Sequence, residues 1–461
     1  MKHFYIYFIL FLSAFVAFGN RQPNIILIIA DDAGYGDFGF QGSQIIKTPH
    51  LDQLAAGGVV CSQAYVTAAV CGPSRAGILT GRYQQRFGYE ENNVPGYMSF
   101  SALEGDEMGL PLQETTMADY LKAEGYTTAL IGKWHQGNAD KYHPLNRGFD
   151  YFFGFRGGAR TYYRLDTLSK GYNKEDRLER GMSQFEVNPA YLTDVFVDDA
   201  IEFIEDQHKN PFFLMLSFNA VHTPLMAKEE DLALFPELEG KRREYAAMTL
   251  AMDLACGRLF HQLKALNLEE ETLIVFTSDN GGPSDTNASN NYPLSGTKAN
   301  HLEGGIRVPM VFSWPSKLQA GVYDQPVSTL DYLPTFLKLA GGKPEELKQL
   351  DGVNLLPYFK GETQQPPHEI LFWKKECRAA VRKGEWKLLR YPDRPAELYD
   401  LSKDIGEQQD LALQYPDLVR SLYKDLFEWE KELERPLWQL QRKYEAKAME
   451  RMDAYRKPVA N

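Results

Sequence analysis

The sequence contains few cysteines. Four occur in 461 residues, namely Cys61, Cys71, Cys256 and Cys377. Four cysteines are too few for a disulfide framework of the kind that stabilises small secreted domains. If Cys71 is consumed by chemistry, the other three can form at most one bridge. Stability must therefore come from a hydrophobic core, for which a hydrophobic content of 44% is ample.

The sequence is also poor in positive charge. It has 50 lysines and arginines against 62 aspartates and glutamates, which gives a net charge of −12. This balance argues against a nucleic-acid partner, because such proteins carry a basic surface. An anionic substrate would have to be bound by a local cluster of positive groups, since the global field opposes it.

Long apolar runs are scarce, and the clearest one lies at the start of the chain. Lys2 and His3 precede an uncharged apolar run over residues 4–18, and Ala17-Phe18-Gly19 fits a small-x-small cleavage site. We expect residues 1–19 to be a signal peptide and the protein to be exported, either periplasmic or secreted, without a stable membrane anchor. A short signal anchor is the alternative reading of the same run.

What the sequence does contain is an alternation of apolar β-rich runs with helical patterns. Four runs are typical of buried strands: residues 24–30, 127–131, 211–218 and 272–277. Helical spacing lies between them, for example from Thr116 to Gly125 and from Leu192 to Ile204. This order predicts an α/β fold in which helices sandwich a mostly parallel sheet.

The pattern changes after Pro357. Short alternating runs follow at residues 370–373, 378–382, 386–390 and 397–399. Lys383-Gly384 suits a hairpin turn, and an amphipathic helix is expected from about Pro416. We therefore predict a large catalytic domain over residues 20–360. A smaller C-terminal α+β subdomain, an antiparallel sheet plus a helix, is predicted over residues 361–461.

One short motif places a thiol at the start of a predicted helix. It reads Cys71-Gly72-Pro73-Ser74-Arg75 and continues through Leu79-Thr80-Gly81. Backbone N–H groups and the positive end of the helix dipole would face Cys71, and Arg75 would add a charge one turn along. The motif predicts an anion site with a nucleophile at its centre, although a small buried cysteine is the simpler reading of these residues alone.

Polar side chains follow three of the predicted strands. Asp31-Asp32, Asn219 with His222, and Asp279-Asn280 come where strands end. In open α/β sheets ligands bind at the carboxyl ends of strands, so these groups should converge. The oxygen ligands of Asp31, Asp32, Asp279 and Asn280 suit a hard cation, Ca²⁺ or Mg²⁺.

Lysine and histidine residues occupy further loops of the same kind. Lys133 and His135 follow another strand, and their spacing directs both side chains to one side of an extended segment. Lys298 lies in a glycine-rich segment that continues to Arg307. Taken singly, each of these is weak evidence for a site.

Together and in this order, the segments from Asn24 to about Asp400 resemble the formylglycine-dependent sulfatases of the alkaline phosphatase-like superfamily. The motif Cys-x-Pro-Ser-Arg followed by Leu-Thr-Gly carries the resemblance most specifically. In that family a maturation enzyme oxidises the cysteine to formylglycine (3-oxoalanine), and the aldehyde hydrate is the nucleophile. Two positions depart from the family pattern: Gln136 replaces an aliphatic residue, and the segment after Tyr399-Asp400 lacks a proline.

The resemblance implies a role for each matching position. It implies that Cys71 becomes formylglycine and that Arg75 and Lys133 support its hydrate and the sulfate. It implies calcium ligands at Asp31, Asp32, Asp279 and Asn280.

The same resemblance implies how the sulfate ester is handled. His222 and Lys298 would face the ester, and His222 would protonate the departing sugar oxygen as a general acid. His135 would contact the formylglycine hydroxyls and take up a proton when sulfate is expelled. Positive groups around the sulfate would stabilise the charge that moves onto the leaving oxygen.

The expected substrate is a sulfated carbohydrate. The segment after Lys133 carries Arg156, Arg160 and Tyr162, whose guanidinium groups can fork onto sulfates and whose ring can stack on a sugar. A solvated loop with a packed tyrosine is the alternative. Residues 82–88 and 143–150 look like those of bacterial galactose-4-sulfate and carrageenan sulfatases, which favours a galactose-configured polysaccharide.

Two other functions fit part of this pattern. One is a phosphate or phosphonate ester hydrolase of the same superfamily, against which the single-cation ligand set argues. The other is a non-catalytic secreted polyanion-binding protein, against which the intact Cys71, Arg75 and His222 argue. The sequence gives no indication of the oligomeric state.

Overall fold

The computed structural model describes residues 22–94, 97–100, 107–163, 177–185, 190–347 and 349–458. The predicted signal peptide lies outside the described residues. The strands in these ranges are β1 (Asn24–Ala30), β2 (Val59–Cys61), β3 (Ala64–Tyr65), β4 (Thr127–Lys133), β5 (Tyr151–Phe155), β6 (Glu179–Arg180), β7 (Ser183–Gln184), β8 (Phe212–Ser217), β9 (Thr272–Ser278), β10 (Met310–Ser313), β11 (Gly321–Tyr323), β12 (Val327–Ser328), β13 (Ile370–Lys375), β14 (Arg378–Lys383), β15 (Trp386–Arg390) and β16 (Glu397–Asp400).

The helices complete the framework. In the same ranges they are α1 (Pro49–Ala56), α2 (Cys71–Thr80), α3 (Met117–Ala123), α4 (Leu192–Gln207), α5 (Glu229–Leu232), α6 (Gly240–Ala265), α7 (Glu303–Ile306), α8 (Tyr332–Leu339), α9 (Leu356–Phe359), α10 (Pro416–Glu430) and α11 (Arg442–Ala454). Local sequence explains several ends. Thr116 and Asp119 form a reciprocal capping box at the start of α3, and Gly81 ends α2 in the left-handed conformation with φ 63°.

A large mixed sheet forms the centre of the molecule. Its order is β11-β2-β10-β9-β1-β8-β4-β5-β6-β7. The five central strands, from β9 to β5, are parallel to one another, while β10, β6 and β7 run antiparallel to their neighbours. The prediction of a mostly parallel sheet is confirmed, with antiparallel pairing confined to the flanks. Because β1 lies between β9 and β8, the polar residues that follow these strands meet at one edge.

Helices cover both faces of the large sheet. Alternate residues of β1 point to opposite faces, as the strand period of two requires. Ile26 and Ile28 join one buried cluster with α1, α4 and α6, whereas Ile25 and Leu27 join another with α2, α3 and α8. The predicted helix–sheet–helix sandwich is therefore confirmed.

A second sheet, antiparallel and four-stranded, has the order β13-β14-β15-β16. The predicted hairpin turn at Lys383-Gly384 joins β14 to β15, and Gly384 has φ 56°, which glycine adopts without strain. Helix α10 packs on one face through Leu422, Leu426 and Trp429. The other face packs on α11 and on residues of the large domain, including Ile306.

A buried cluster of charged side chains joins this small sheet to the large domain. Lys387 on β15 makes ion pairs with Glu303 at 2.7 Å and with Glu407 at 2.8 Å. Arg307 pairs with Glu303 at 3.4 Å, and Arg382 donates to the Tyr65 hydroxyl that in turn donates to Glu303. We call Glu303, Arg307, Arg382, Lys387 and Glu407 the interface cluster.

The four cysteines are all free. Cys61, Cys71 and Cys256 are buried, and Cys377 is exposed. Among the described residues, no helix has both the length and the apolar character needed to cross a lipid bilayer.

Candidate active site

The thiol of Cys71 lies at the first residue of α2. The preceding residue, Val70, is extended, with φ −142° and ψ 150°, so the chain turns into the helix at the cysteine itself. Cys71 Sγ lies 3.5 Å from Asp31 Oδ1 and 3.1 Å from Lys298 Nζ. The start of a helix presents N–H groups without helical partners, which favours negative charge close to the thiol. The predicted placement at the helix start is confirmed.

The four predicted metal ligands lie side by side at the ends of β1 and β9. All four side chains are buried. Asp32 N–H donates to Asp279 Oδ1 at 3.3 Å, and Asn280 Nδ2 donates to Asp32 Oδ1 at 2.7 Å. Asp32 has φ 61°, a conformation that costs a non-glycine residue energy and is concentrated at functional sites.

Three positive side chains pair with the three carboxylates, one with each. Arg75 Nε lies 2.8 Å from Asp279, Lys133 Nζ lies 2.7 Å from Asp31, and Lys298 Nζ lies 2.6 Å from Asp32. These residues come from α2, β4 and the glycine-rich loop, so three separate segments converge here. We call these six residues the active-site cluster. Its formal charges cancel, three against three, before any ligand binds.

The surroundings shift the pKa values of this cluster in opposite directions. Burial opposes ionisation of Asp31, but Lys133 and His222 outweigh it and hold the pKa of Asp31 well below its ordinary value. Burial, followed by the charge of Asp31, raises the pKa of Asp279. Burial, followed by the charge of Asp279, raises the pKa of the Cys71 thiol. An unmodified Cys71 is therefore protonated at neutral pH and is a weak nucleophile.

Two histidines border the cluster. His222 Nε2 lies 3.4 Å from Asp32 Oδ2, and the side chain keeps an exposed fraction of 18%. His135 is buried and has φ 58°, and its ring packs so closely on Gly158 that a Cβ there would lie 2.6 Å from Nε2. Burial, followed by the charge of Lys133, lowers the pKa of His135 well below its ordinary value. His135 is therefore a neutral imidazole at neutral pH.

The donor set suits a hard divalent cation. Ligand atoms of Asp31, Asp32, Cys71 and His222 all lie within 4.8 Å of one another. Asn280 Oδ1 is buried and has no hydrogen-bond partner in the described part of the chain, so it is free to coordinate. Carboxylate and amide oxygens are the ligands that Ca²⁺ and Mg²⁺ prefer. The residues present therefore fit a metal ion.

The three predicted substrate-binding residues lie on the segment that follows β5, and two of them are occupied by other contacts. Arg156 donates to Glu179 at 2.8 Å and to Asp140 at 2.7 Å. Tyr162 is fully buried, and its hydroxyl donates to the carbonyls of Asn219 and His222 at 2.6 and 2.9 Å. A fully buried ring has no face free for a sugar, so Tyr162 holds the His222 loop instead. Arg160 is buried too, and its backbone carbonyl accepts from Asn219 Nδ2 at 3.5 Å.

Sequence reasoning missed three residues that position the site. Ser217 Oγ accepts from Arg75 Nη1 at 2.5 Å and donates to the Lys133 carbonyl at 2.7 Å. Asn92 Oδ1 accepts from Gly72 N–H at 2.8 Å. Gln136 Nε2 donates to the carbonyls of Gly72 and His135, at 2.8 and 2.7 Å. The departure of Gln136 from the family pattern was a visible signal, whereas a serine at a strand end and a loop asparagine gave none.

Comparison with known proteins identifies the family. A family model described as "Sulfatase" matches residues 23–342, and one described as "N-sulphoglucosamine sulphohydrolase, C-terminal" matches residues 298–432. The chain belongs to the sulfatase family. The enzyme is thus a sulfatase, a hydrolase of sulfate esters, and members of this family generally use formylglycine and a divalent metal.

Curated relatives of the sulfatase share about a third of its residues. Steryl-sulfatase of Homo sapiens is 33% identical over 442 residues, which covers 79% of this chain and 74% of the relative. N-acetylgalactosamine-6-sulfatase of Mus musculus is 34% identical over 391 residues, covering 82% and 73%. The similarity therefore extends over most of both chains.

Solved structures resemble the sulfatase over nearly its whole length. The structure of Ps i-CgsB in complex with k-i-k-neocarrahexaose is 37% identical, has a TM-score of 0.84, and covers 95% of this chain and 100% of that one. A phosphonate monoester hydrolase of Agrobacterium radiobacter has a TM-score of 0.63 at 20% identity, which shows a shared fold alone.

Proposed function

We propose that this sulfatase removes sulfate from a galactose-configured polysaccharide or oligosaccharide of the carrageenan type. The observation that carries the proposal is the similarity, at 37% identity over 95% of the chain, to a protein solved with a neocarrahexaose. The N-acetylgalactosamine-6-sulfatase relative also acts, by its name, on a sugar of galactose configuration. A sulfated carbohydrate is in addition the substrate class expected of an exported enzyme.

The proposed nucleophile derives from Cys71. A protonated buried thiol is a poor nucleophile, which favours its conversion to formylglycine by a maturation enzyme. Asp31, Asp32, Asp279 and Asn280 are the proposed ligands of a calcium ion. When present, formylglycine would supply a hydroxyl nucleophile and calcium would stabilise negative charge on the sulfate.

Charge balance supports this metal assignment. The three carboxylates of the active-site cluster are neutralised by Arg75, Lys133 and Lys298. A divalent cation added to this neutral cluster leaves a net positive pocket within a chain of net charge −12. Such a local excess is what binding of a sulfate ester requires, because the global field repels anions.

The remaining roles follow from position and protonation. Lys298 lies 3.1 Å from Cys71 Sγ, so it is placed to contact a sulfate held there, while Lys133 and Arg75 pair with Asp31 and Asp279 of the same cluster. His222 is partly exposed, which suits transfer of a proton to a leaving oxygen that arrives from solvent. The neutral imidazole of His135 suits a base. Arg156 and Arg160 are proposed to border the substrate, Arg156 by exchanging an existing carboxylate partner for sulfate.

Export and domain division complete the proposal. The apolar run over residues 4–18 supports a signal peptide and a periplasmic or secreted location. The switch from the large sheet to the antiparallel sheet between Phe359 and Ile370 supports a division into residues 20–360 and 361–461.

The test is a substrate panel on matured enzyme. Sulfate release would be measured on carrageenan oligosaccharides, chondroitin disaccharides, ulvan and heparin fragments, with an aryl phosphate alongside an aryl sulfate. We expect the enzyme to release sulfate from the galactose-configured substrates and not to hydrolyse the aryl phosphate. Activity confined to glucosamine or uronate sulfates would refute the substrate class and leave the sulfatase chemistry intact. Mass spectrometry of the peptide containing Cys71 would report its conversion to the aldehyde.

A further inference from the structure

A groove on the C-terminal part of the molecule is lined by positive and aromatic side chains and by one carboxylate, Glu428, which pairs with Lys431. It lies between α10 and the end of β15 and encloses about 680 Å³. The lining residues that carry the argument are Arg390, Arg420, Tyr423, Lys424 and Phe427. None of them belongs to the active-site cluster or to the interface cluster.

The aromatic rings form an exposed, ordered surface. Phe427 is 49% exposed although α10 is otherwise charged on its outer side. Its ring stacks with that of Tyr423, with centroids 5.5 Å apart and planes 18° apart, and the Arg390 guanidinium lies 5.9 Å from the Phe427 centroid. Glu430 holds Arg390 by two hydrogen bonds of 2.7 and 2.9 Å. The rings are therefore held in place before any ligand arrives, which lowers the entropy cost of binding.

Two cations beside these rings are available to an anionic ligand. Lys424 is exposed and makes no ion pair with any residue that the structure describes. Arg420 pairs with Asp417, but both side chains are largely exposed, and such pairs contribute about 0–1 kcal/mol. Arg420, Lys424 and Phe427 are spaced by four and three residues, so they share one face of α10.

We propose that this groove is a second carbohydrate-binding site, which holds a segment of a sulfated galactan away from the residue that is being desulfated. The inference rests on the substrate class of the proposed function. Flat aromatic rings pack against the apolar faces of sugars, and Arg420 and Lys424 match sulfates spaced along the polymer. In a protein of net charge −12, Lys424, which is unpaired within the described residues, and the weakly paired Arg420 form a local complement to a polyanion.

The test is direct binding of polymer by the Cys71→Ala protein, which leaves the polymer unaltered. Retardation in gels that contain a sulfated galactan would be measured with a saturating sulfated disaccharide present to occupy the active site. The double variant Lys424→Ala/Phe427→Ala should bind about fivefold more weakly, from the loss of one exposed stacking contact and one charge. The control Leu254→Ala/Lys264→Ala removes an exposed apolar side chain and a lysine from α6 and should bind like the parent.

Two results would overturn the second site. One is equal retardation of the groove variant and the control variant, with matching thermal unfolding. The other is equal retardation of the parent by a neutral galactan such as agarose, since the cations would then play no part. In matured enzyme, the groove variant should also lower the ratio of polymer to disaccharide turnover by about fivefold. A matured parent that releases no sulfate from the disaccharide would refute the proposed substrate instead, and the gel assay would still report on the groove.

Discussion

The active-site cluster and the interface cluster are both buried groups of opposite charges, but they differ in how completely their polar atoms are used. In the interface cluster, Lys387 bridges Glu303 and Glu407, and Glu407 also accepts the Glu303 N–H at 2.7 Å. The second oxygen of Glu303 is occupied by Tyr65. Each carboxylate there has a positive partner within the protein, as stability requires of a buried ion pair, and Glu407 Oε1 is the one atom of these two carboxylates that makes no hydrogen bond within the described residues.

The active-site cluster and the residues beside it leave more polar atoms unused. Arg75 Nη2, His135 Nδ1 and Asn280 Oδ1 are buried and have no hydrogen-bond partner within the described residues. Asp32 and His135 hold left-handed backbone conformations, as does Glu407 of the interface cluster. Each unsatisfied buried group costs about 1–3 kcal/mol, a cost that ligands can offset when they bind. The comparison indicates that the number of unused polar atoms, more than buried charge or backbone conformation, distinguishes the active site from the interface cluster.

The largest expected effect is a loss of activity without a loss of stability when Cys71 is replaced. Cys71→Ala should abolish sulfate release in matured enzyme, because it removes the nucleophile, while the midpoint of thermal unfolding changes little. The control Cys377→Ala removes an exposed cysteine and should keep full activity. Sulfate-release assays and mass spectrometry of the parent check this together. A free Cys71 thiol in fully active protein would contradict the formylglycine assignment.

Removal of the metal ion should have the next largest effect. Chelation should abolish activity and lower the midpoint of thermal unfolding, because a ligand bound only to the folded state stabilises it by about 2.7 kcal/mol at a hundred times its Kd. Asp279→Asn should abolish the stabilisation by added calcium.

Lys387→Met should cost about 3–5 kcal/mol of stability, since it leaves buried carboxylates unpaired, yet keep the response to calcium. Loss of that response in Lys387→Met would show that the two clusters are not independent.

Substitution of His222, the partly exposed histidine of the site, tests its proposed role as the general acid. His222→Ala should slow release from sugar sulfates by about 10²–10⁴-fold, and much less from activated aryl sulfates, because a good leaving group needs little protonation. His261→Ala, on the exposed face of α6, is the matched control. Equal losses on both substrate types would argue against general-acid catalysis.

A smaller effect is expected at Gln136, which joins the helix of Cys71 to His135. Gln136→Leu should lower kcat by about tenfold with little change in KM. It removes the hydrogen bonds that fix the helix of Cys71 relative to His135 but leaves both of these residues in place. Gln84 is equally buried and donates to the Thr67 carbonyl at 3.0 Å, so Gln84→Leu is the control and should affect stability alone. The pH profile of kcat should shift only in Gln136→Leu. If the two variants change kcat and its pH profile to the same extent, Gln136 has a structural role only.

The convergence of charges at the site could be predicted from sequence, because alternating strands and helices predict a parallel sheet whose strands end at one edge. Asp31-Asp32 and Asp279-Asn280 follow β1 and β9, which pair in parallel, so one rule placed both. The use of each side chain could not be predicted. Arg156 binds Glu179 on the antiparallel neighbour of β5, and Tyr162 turns inward, because long-range packing determines the partner of a loop side chain. The flanking strands β6, β7 and β11 are only two or three residues long, which is too short to show a periodic pattern in the sequence.

The smallest effect concerns the pH dependence of stability at the interface cluster. Burial, opposed by Lys387 and reinforced by Glu303, raises the pKa of Glu407 from 4.5 to about 7 in the folded protein. Between these values the folded state binds more protons than the unfolded chain, so the free energy of unfolding attributable to Glu407 falls as pH rises through this window. Below pH 4.5 that contribution is fully present, and above about pH 7 it is lost.

Glu407→Gln should remove this contribution, because an amide does not titrate. Urea unfolding of parent and variant at pH 5, 6, 7 and 8, with calcium present throughout, would measure the difference in the free energy of unfolding. We expect the parent to lose its advantage over the variant as pH rises, since Glu407 must then ionise beside the buried carboxylate of Glu303, with which it shares the ammonium of Lys387. A difference that stays constant across these pH values would mean that Glu407 is already ionised at pH 5. Both carboxylates of the interface cluster would then be charged, and the larger number of unused polar atoms at the active site would remain to distinguish the two.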